Sequence, residues 1–154
     1  MTRLAELQGR VLQSLVEELR LMFDVGRCTL RLPIEDSFPV VYEALAPGVG
    51  SIVGDTEVDL SGQPVVRVIT EERRQVVQDD CRRAYEDPAF QRMLESYGGM
   101  GAQIVTPVLA GGDLAGIVSL HHLGGPRPWT KEETDLAAGA ARLVARILAE
   151  GEPG

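Results

Sequence analysis

Residues 101–122 read GAQIVTPVLAGGDLAGIVSLHH. Two apolar segments flank a Gly111-Gly112-Asp113 turn, which is the composition of a β-hairpin. Side chains along a strand alternate between faces, so this hairpin has two unlike sides. With Leu114, Val118 and Leu120 on one side, Ala115, Ile117, Ser119 and His121 fall on the other. Gln103 and Val105 of the first strand join the second group. The first side suits helix packing, whereas the second sets isolated polar groups in an apolar wall. After a loop, Trp129-Thr130-Lys131-Glu132-Glu133 opens a helix, with Thr130 and Glu133 at capping-box spacing. Its expected apolar stripe is Leu136, Ala140, Leu143, Val144, Ile147 and Leu148.

Upstream of the hairpin, Asp87-Pro88 opens a helix that runs through Met93, Leu94 and Tyr97 and stops at Gly98-Gly99. A short strand over Arg74–Gln78 precedes it. Ser61-Gly62-Gln63-Pro64 reads as a helix start, with proline in the first turn where its missing N–H costs nothing. Residues 51–60 read as a loop or a short irregular strand, and Pro39–Leu45 as a strand. Arg27–Leu32 alternates strictly, with Cys28, Leu30 and Leu32 opposite Thr29 and Arg31. Residues 2–23 predict a long helix striped by Leu4, Leu7, Val11, Leu15, Leu19 and Met22. Leu12, Val16 and Phe23 widen that stripe, and Gly26 suits the left-handed cap.

The order is helix, two strands, helix, strand, helix, two strands, helix. It predicts an α+β domain in which the terminal helices cover one face of an antiparallel sheet and the middle segments cover the other. One domain spans residues 1–154, with its core over 5–149 and a frayed tail at 150–154. At 44% hydrophobic and 25% charged, the chain can bury a core without metals or disulfides. A net charge of −8 excludes a nucleic-acid surface, which needs a basic face. No apolar run approaches the roughly 20 residues that span a bilayer, and no apolar signal region opens the chain. Two cysteines without CxxC or zinc spacing read as reduced thiols, so a cytoplasmic protein is expected.

Several of these pieces together resemble the GAF domain family. They are Ile104-Val105-Thr106-Pro107-Val108, Gly112-Asp113-Leu114-Ala115-Gly116, His121-His122 and Arg127-Pro128-Trp129-Thr130-Lys131-Glu132-Glu133, with Gln75–Asp80 and Asp87-Pro88 upstream. The resemblance covers residues 5–149 and implies a sheet of about six strands with helices on one face. On the other face it implies a helix-and-loop lid over a small-molecule pocket. The lid would run from Asp79 to Tyr97 and carry Cys81, Tyr85 and Tyr97.

Strand parity and the resemblance together nominate Thr29, Arg31, Gln103, Ser119 and His121 on the sheet and Cys81, Tyr85 and Tyr97 in the lid as ligand-binding residues. Such a mix of apolar wall and few polar groups is typical of ligand sites. Arg31 could clamp a carboxylate or phosphate through its guanidinium fork, or be an ordinary edge arginine. His121 stands where bilin-binding members of the family carry a histidine beside the chromophore, or is a strand-end histidine satisfied locally. Covalent bilin is not expected, because Phe90-Gln91 occupies the place of the attachment cysteine. Haem has a single axial candidate in His121, and the lid motif of cyclic-nucleotide binders is absent. The ligand is therefore unassigned.

Arginines 67, 73, 74, 82, 83 and 92 interleave with acidic residues and read as solvated ion pairs. The glycine-rich pieces at 48–50 and 98–101 read as turns, not dinucleotide fingerprints. The expected function is a non-covalent small-molecule sensor with no catalytic residues and no metal. Ligand closure would order the lid, and the terminal helices would form a parallel homodimer that signals to a separate partner protein. Two alternatives are a ligand-free dimerisation module and a thiol enzyme of the free methionine sulfoxide reductase type. The first predicts a pocket filled by Tyr85, Tyr97, Phe90 and Met93; the second predicts an exposed, activated Cys81.

Overall fold

The computed structural model describes residues 2–55 and 64–150. Helix α1 (Arg3–Phe23) is capped by Thr2, whose hydroxyl accepts from the Ala5 N–H. At its far end Asp24, not Gly26, takes the left-handed conformation (φ 50°). The Asp24 N–H donates to the Leu21 carbonyl and the Val25 N–H to the Arg20 carbonyl, a cap in which an aspartate replaces the usual glycine. Gly26 already belongs to the sheet, donating to the His121 carbonyl. It is needed there because a Cβ would meet Leu123 Cγ at 2.9 Å.

Strands β1 (Arg27–Arg31), β2 (Val40–Leu45), β3 (Val76–Gln78), β4 (Met100–Ala110) and β5 (Asp113–Leu123) form one antiparallel sheet in the order β2-β1-β5-β4-β3. Among the described residues it has five strands. The stretch 51–60 is described only to Asp55, where it is loop; residues 56–63, including the Ser61–Gln63 helix lead, lie outside the described residues. The β4–β5 hairpin turns on Gly111 and Gly112 alone, both at positive φ, while Asp113 already pairs with Ala110.

Helix α2 (Pro64–Arg67) runs into a π-helical turn (Val68–Glu72). A short helix α3 (Cys81–Ala84) that periodicity did not resolve precedes α4 (Pro88–Ser96). Asp87 caps α4 by accepting from the Ala89 and Phe90 N–H groups. Helix α5 (Lys131–Glu150) begins with the expected capping box: Thr130 Oγ1 accepts from Glu133 N–H, and Glu133 accepts from Thr130 N–H. Of the expected frayed tail, residues 151–154 lie outside the described residues.

The sheet separates two cores. On one side α1 and α5 bury Leu12, Val16, Leu19, Phe23, Ala137, Ala140, Ala141 and Val144 against Cys28, Leu30, Ile104, Val108, Val118 and Leu120. On the other, α2, the π-helical turn, α3 and α4 bury Val65, Ile69, Cys81, Phe90 and Leu94 against Val76, Val105 and Ile117. The expected stripes contain the buried residues Leu12, Val16, Leu19 and Phe23 of α1 and Ala140 and Val144 of α5, but run past the core on one side and miss Ala137 and Ala141. Leu4 (56% exposed), Leu7 (57%), Met22 (63%), Leu136 (41%) and Leu143 (43%) face away from the core. Both helices carry more apolar residues than one buried face accommodates, so periodicity alone drew each stripe wider than the core it meets. Parity in β5 also breaks at one place. The register passes from Val108↔Gly116 to Leu109↔Leu114, a bulge at Ala115 that turns Leu114 to the lid side and Ala115 to the helix side.

Candidate functional site

Between the lid-side face of the sheet and α2–α4 lies a cavity of about 50 Å³. Its apolar wall comes from Val65, Val66, Ile69, Met93, Met100, Val105 and Ile117, and its polar groups from Arg31, Tyr97, Gln103, Ser119 and His121. Five of the eight nominated residues therefore meet there, brought together by register: Gln103 lies opposite His121, and Thr29 opposite Ser119. Thr29 is 1% exposed on the same face of β1, and its Oγ1 has no hydrogen-bond partner. Cys81 and Tyr85 do not line the cavity; they pack within the lid, Tyr85 edge-on to Phe90 at 5.2 Å.

Arg31 spends its fork on the protein itself. Its Nη1 donates to the Phe38 and Asp55 carbonyls, each at 2.9 Å, and its Nη2 to the Tyr97 hydroxyl at 2.9 Å. Tyr97 in turn donates to the Asp55 carboxylate, which lies 3.9 Å from Arg31. Burial is the main reason the Tyr97 hydroxyl is held well above its ordinary pKa. The result is a clasp joining β1, the loop ending at Asp55 and the end of α4.

Arg27 escaped the sequence reading, although parity puts it beside Thr29 and Arg31. An arginine opening a strand reads as surface. It is in fact 2% exposed. Nη1 donates to the Tyr97 carbonyl (2.8 Å) and lies 3.3 Å from His121 Nδ1; Nη2 donates to the Gly50 carbonyl (2.9 Å). Guanidinium has only donors, so Nδ1 must accept and the His121 proton sits on Nε2. Desolvation first, then the charges of Arg27 and Arg31, hold His121 well below its ordinary pKa, which keeps the ring neutral. The ring stacks on Tyr97 with centroids 5.9 Å apart. On the other flank Gln103 donates to Gln78 (2.8 Å), and the Gln78 carbonyl accepts from the indole of Trp129 (3.0 Å). Four side chains thus cross the sheet in one row: Arg27, His121, Gln103 and Gln78.

Both thiols are fully buried, and burial pushes each up to about 12, with Asp80 adding to the effect on Cys81. Cys28 lies in the helix-side core and Cys81 in the lid-side core, with the sheet between them. An exposed, activated Cys81 is thus corrected to an inert one: it sits at the head of α3 but under apolar cover, and desolvation outweighs any help from the helix end. Two of the interleaved arginines behave as ordinary surface charges, Arg74 pairing with Glu72 and Arg83 with Asp80. No helix among the described residues is long and apolar enough to cross a membrane.

The GAF domain family model matches residues 9–148. No curated protein matches the chain by sequence. Among solved structures, the PixJ GAF domain of Thermosynechococcus elongatus in its blue-light-absorbing form is similar at 17% identity and TM-score 0.79, covering 97% of this chain and 92% of that one. The photoproduct state of GAF3 from Slr1393 of Synechocystis sp. PCC6803 is similar at 18% identity and TM-score 0.75, covering 95% and 99%. A far-red-absorbing dark state with bound biliverdin IXa is similar at 21% identity and TM-score 0.75, covering 90% and 87%. At these identities the likeness shows a shared fold.

Proposed function

The chain belongs to the GAF domain family, and from that premise we propose that it is a non-covalent small-molecule sensor whose ligand sits between sheet and lid. The observation that carries this reading is the set of polar groups that converge on one apolar cavity, His121, Ser119, Gln103 and Arg31. Arg31, Gln103 and one nitrogen of His121 are paired within the protein; the Ser119 hydroxyl and His121 Nε2 have no partner among the described residues, and buried polar groups cost free energy until a partner such as a ligand pairs with them. A bilin needs far more room than about 50 Å³, and neither cysteine reaches the cavity, so the reading is a compact ligand. The protein has no catalytic role in this proposal.

Output runs through the terminal helices. Leu4, Leu7 and Val11 share one face of α1, and Leu136 and Leu143 share one face of α5, all exposed. Apolar faces of this kind support a homodimer that passes the ligand signal to a separate protein in the cytoplasm. The ligand-free dimerisation module remains the competing reading, favoured by the small volume of the cavity.

A metabolite-library melting screen, joined to native mass spectrometry of the purified protein, separates them. A ligand at one hundred times its Kd stabilises by about 2.7 kcal/mol, or about 5–11 °C for a chain of this length. His121→Ala and Arg31→Ala should weaken that response, and Cys81→Ser should leave binding largely intact. A flat screen with no copurifying molecule supports the dimerisation module.

A further inference from the structure

Resting on the sensor reading, we propose that the cavity is built for a small organic anion, a carboxylate of about two or three carbons. The chain carries a net charge of −8, yet among the described residues no carboxylate side chain lines the cavity, whereas Arg31 does. Two carboxylates lie nearby outside that lining, and one of them already pairs with Arg31. Asp55 accepts from Tyr97 beside Arg31, and Glu43 accepts from the Ile52 N–H.

Arg27 sharpens the point. Among the described residues no carboxylate lies within 4 Å of its guanidinium, which is met only by two carbonyls and an imidazole nitrogen. Glu43 acts on it from further away. Its Nε has no hydrogen-bond partner among the described residues. A buried cation is costly unless paired, and among the described residues Arg27 has no carboxylate in contact, only Glu43 acting from a distance.

The donors that would receive an oxyanion are also in place. With Nδ1 accepting from Arg27, His121 presents Nε2–H without a partner among the described residues. The Ser119 hydroxyl likewise makes no hydrogen bond among them, and Thr29 Oγ1, opposite Ser119 though behind the cavity lining, is buried and unpartnered among them. Neutral donors backed by fixed positive charge are the arrangement that favours a carboxylate over a neutral amide, and both over an ammonium group.

Size follows from volume. A cavity of about 150 Å³ holds benzene, and one water needs about 10–15 Å³. The roughly 50 Å³ here therefore takes about two to four non-hydrogen atoms before the wall moves. Met93 and Met100 in that wall are unbranched and can yield to a further methylene. The short chain of the acid would lie against Val105 and Ile117.

Calorimetric titration with acetate, propionate and butyrate tests this, alongside acetamide, propionamide and propylamine at matched ionic strength. Propionate should bind at least about tenfold more tightly than propionamide, and propylamine should not bind. Arg27→Met should abolish the difference between acid and amide. Because that variant could fail to fold, Ser119→Ala provides a second measure and should weaken propionate about tenfold. Equal affinity for acid and amide, or an unchanged affinity in Ser119→Ala, overturns the anion assignment and leaves a sensor for neutral molecules. Absence of binding by every probe also overturns it, while a hit in the metabolite screen would keep the sensor reading standing.

Discussion

Replacing Tyr97 by phenylalanine removes one oxygen from the clasp that holds the lid end of α4 to β1. That oxygen accepts from Arg31 at 2.9 Å and donates to the Asp55 carboxylate. Hydrogen bonds to charged groups contribute about 1.5–3 kcal/mol each. Arg31 and Asp55 are only 3.9 Å apart, with side chains 8% and 12% exposed, so they can close on each other and recover part of the loss. Exposure this low leaves little solvent screening to discount. The ring itself remains, and with it the stack on His121. The net cost is therefore about one charged hydrogen bond, roughly 2 kcal/mol. For a domain of this length that lowers Tm by about 4–8 °C, read by calorimetry and confirmed by urea unfolding with an unchanged m-value. Combined with Asp55→Asn in a double-mutant cycle, the pair should couple by about 1–2 kcal/mol. A Tm within about 1 °C of the parent, or simple additivity of the two substitutions, would refute the clasp.

Three further outcomes are expected. The folded pKa of His121 lies well below the ordinary value of 6.5, chiefly through burial. The folded and unfolded states then bind protons equally above that pH and unequally below it. Stability should fall as pH drops beneath about 6.5, by at most about 1.4 kcal/mol per unit for this group. His122, also lowered, contributes a share, so the measurement is the difference in slope between parent and His121→Gln; equal slopes would show that the ring is not buried neutral. Neither cysteine should react with Ellman's reagent at pH 8 in the folded protein, while both should react at once in urea, because both thiols are buried and raised to about 12; rapid native labelling of Cys81 would revive thiol chemistry. Gly101→Ala should destabilise by about 3 kcal/mol or prevent folding, since a Cβ there would fall 1.9 Å from the Gly125 carbonyl oxygen; an unchanged urea midpoint would contradict that packing.

Much of this architecture was legible in the chain because local rules and tertiary fold agree. The hairpin at 100–123, the Thr130–Glu133 capping box and the Asp87–Gly99 helix each rest on signals a few residues apart. Strict alternation placed Thr29, Arg31, Gln103, Ser119 and His121 on one sheet face, because a strand period of two leaves no freedom once the register is set. The register itself came from the hairpin and from the pairing of β1 with β5.

Other features needed the tertiary structure because they depend on partners distant in sequence. Which edge of the α1 and α5 stripes is buried follows from how two helices share one sheet face, and both stripes are wide enough to permit either. The bulge at Ala115 reversed local parity without any glycine or proline to announce it at that residue. Arg27 became the hub of the site only because Tyr97, Gly50 and His121, 70, 23 and 94 residues away, converge on it. Sequence settled which side chains share a face, since that is geometry internal to a strand; folding settled which of them are dry, neutral or charged, since burial and the field of neighbours arise only when remote segments close over them.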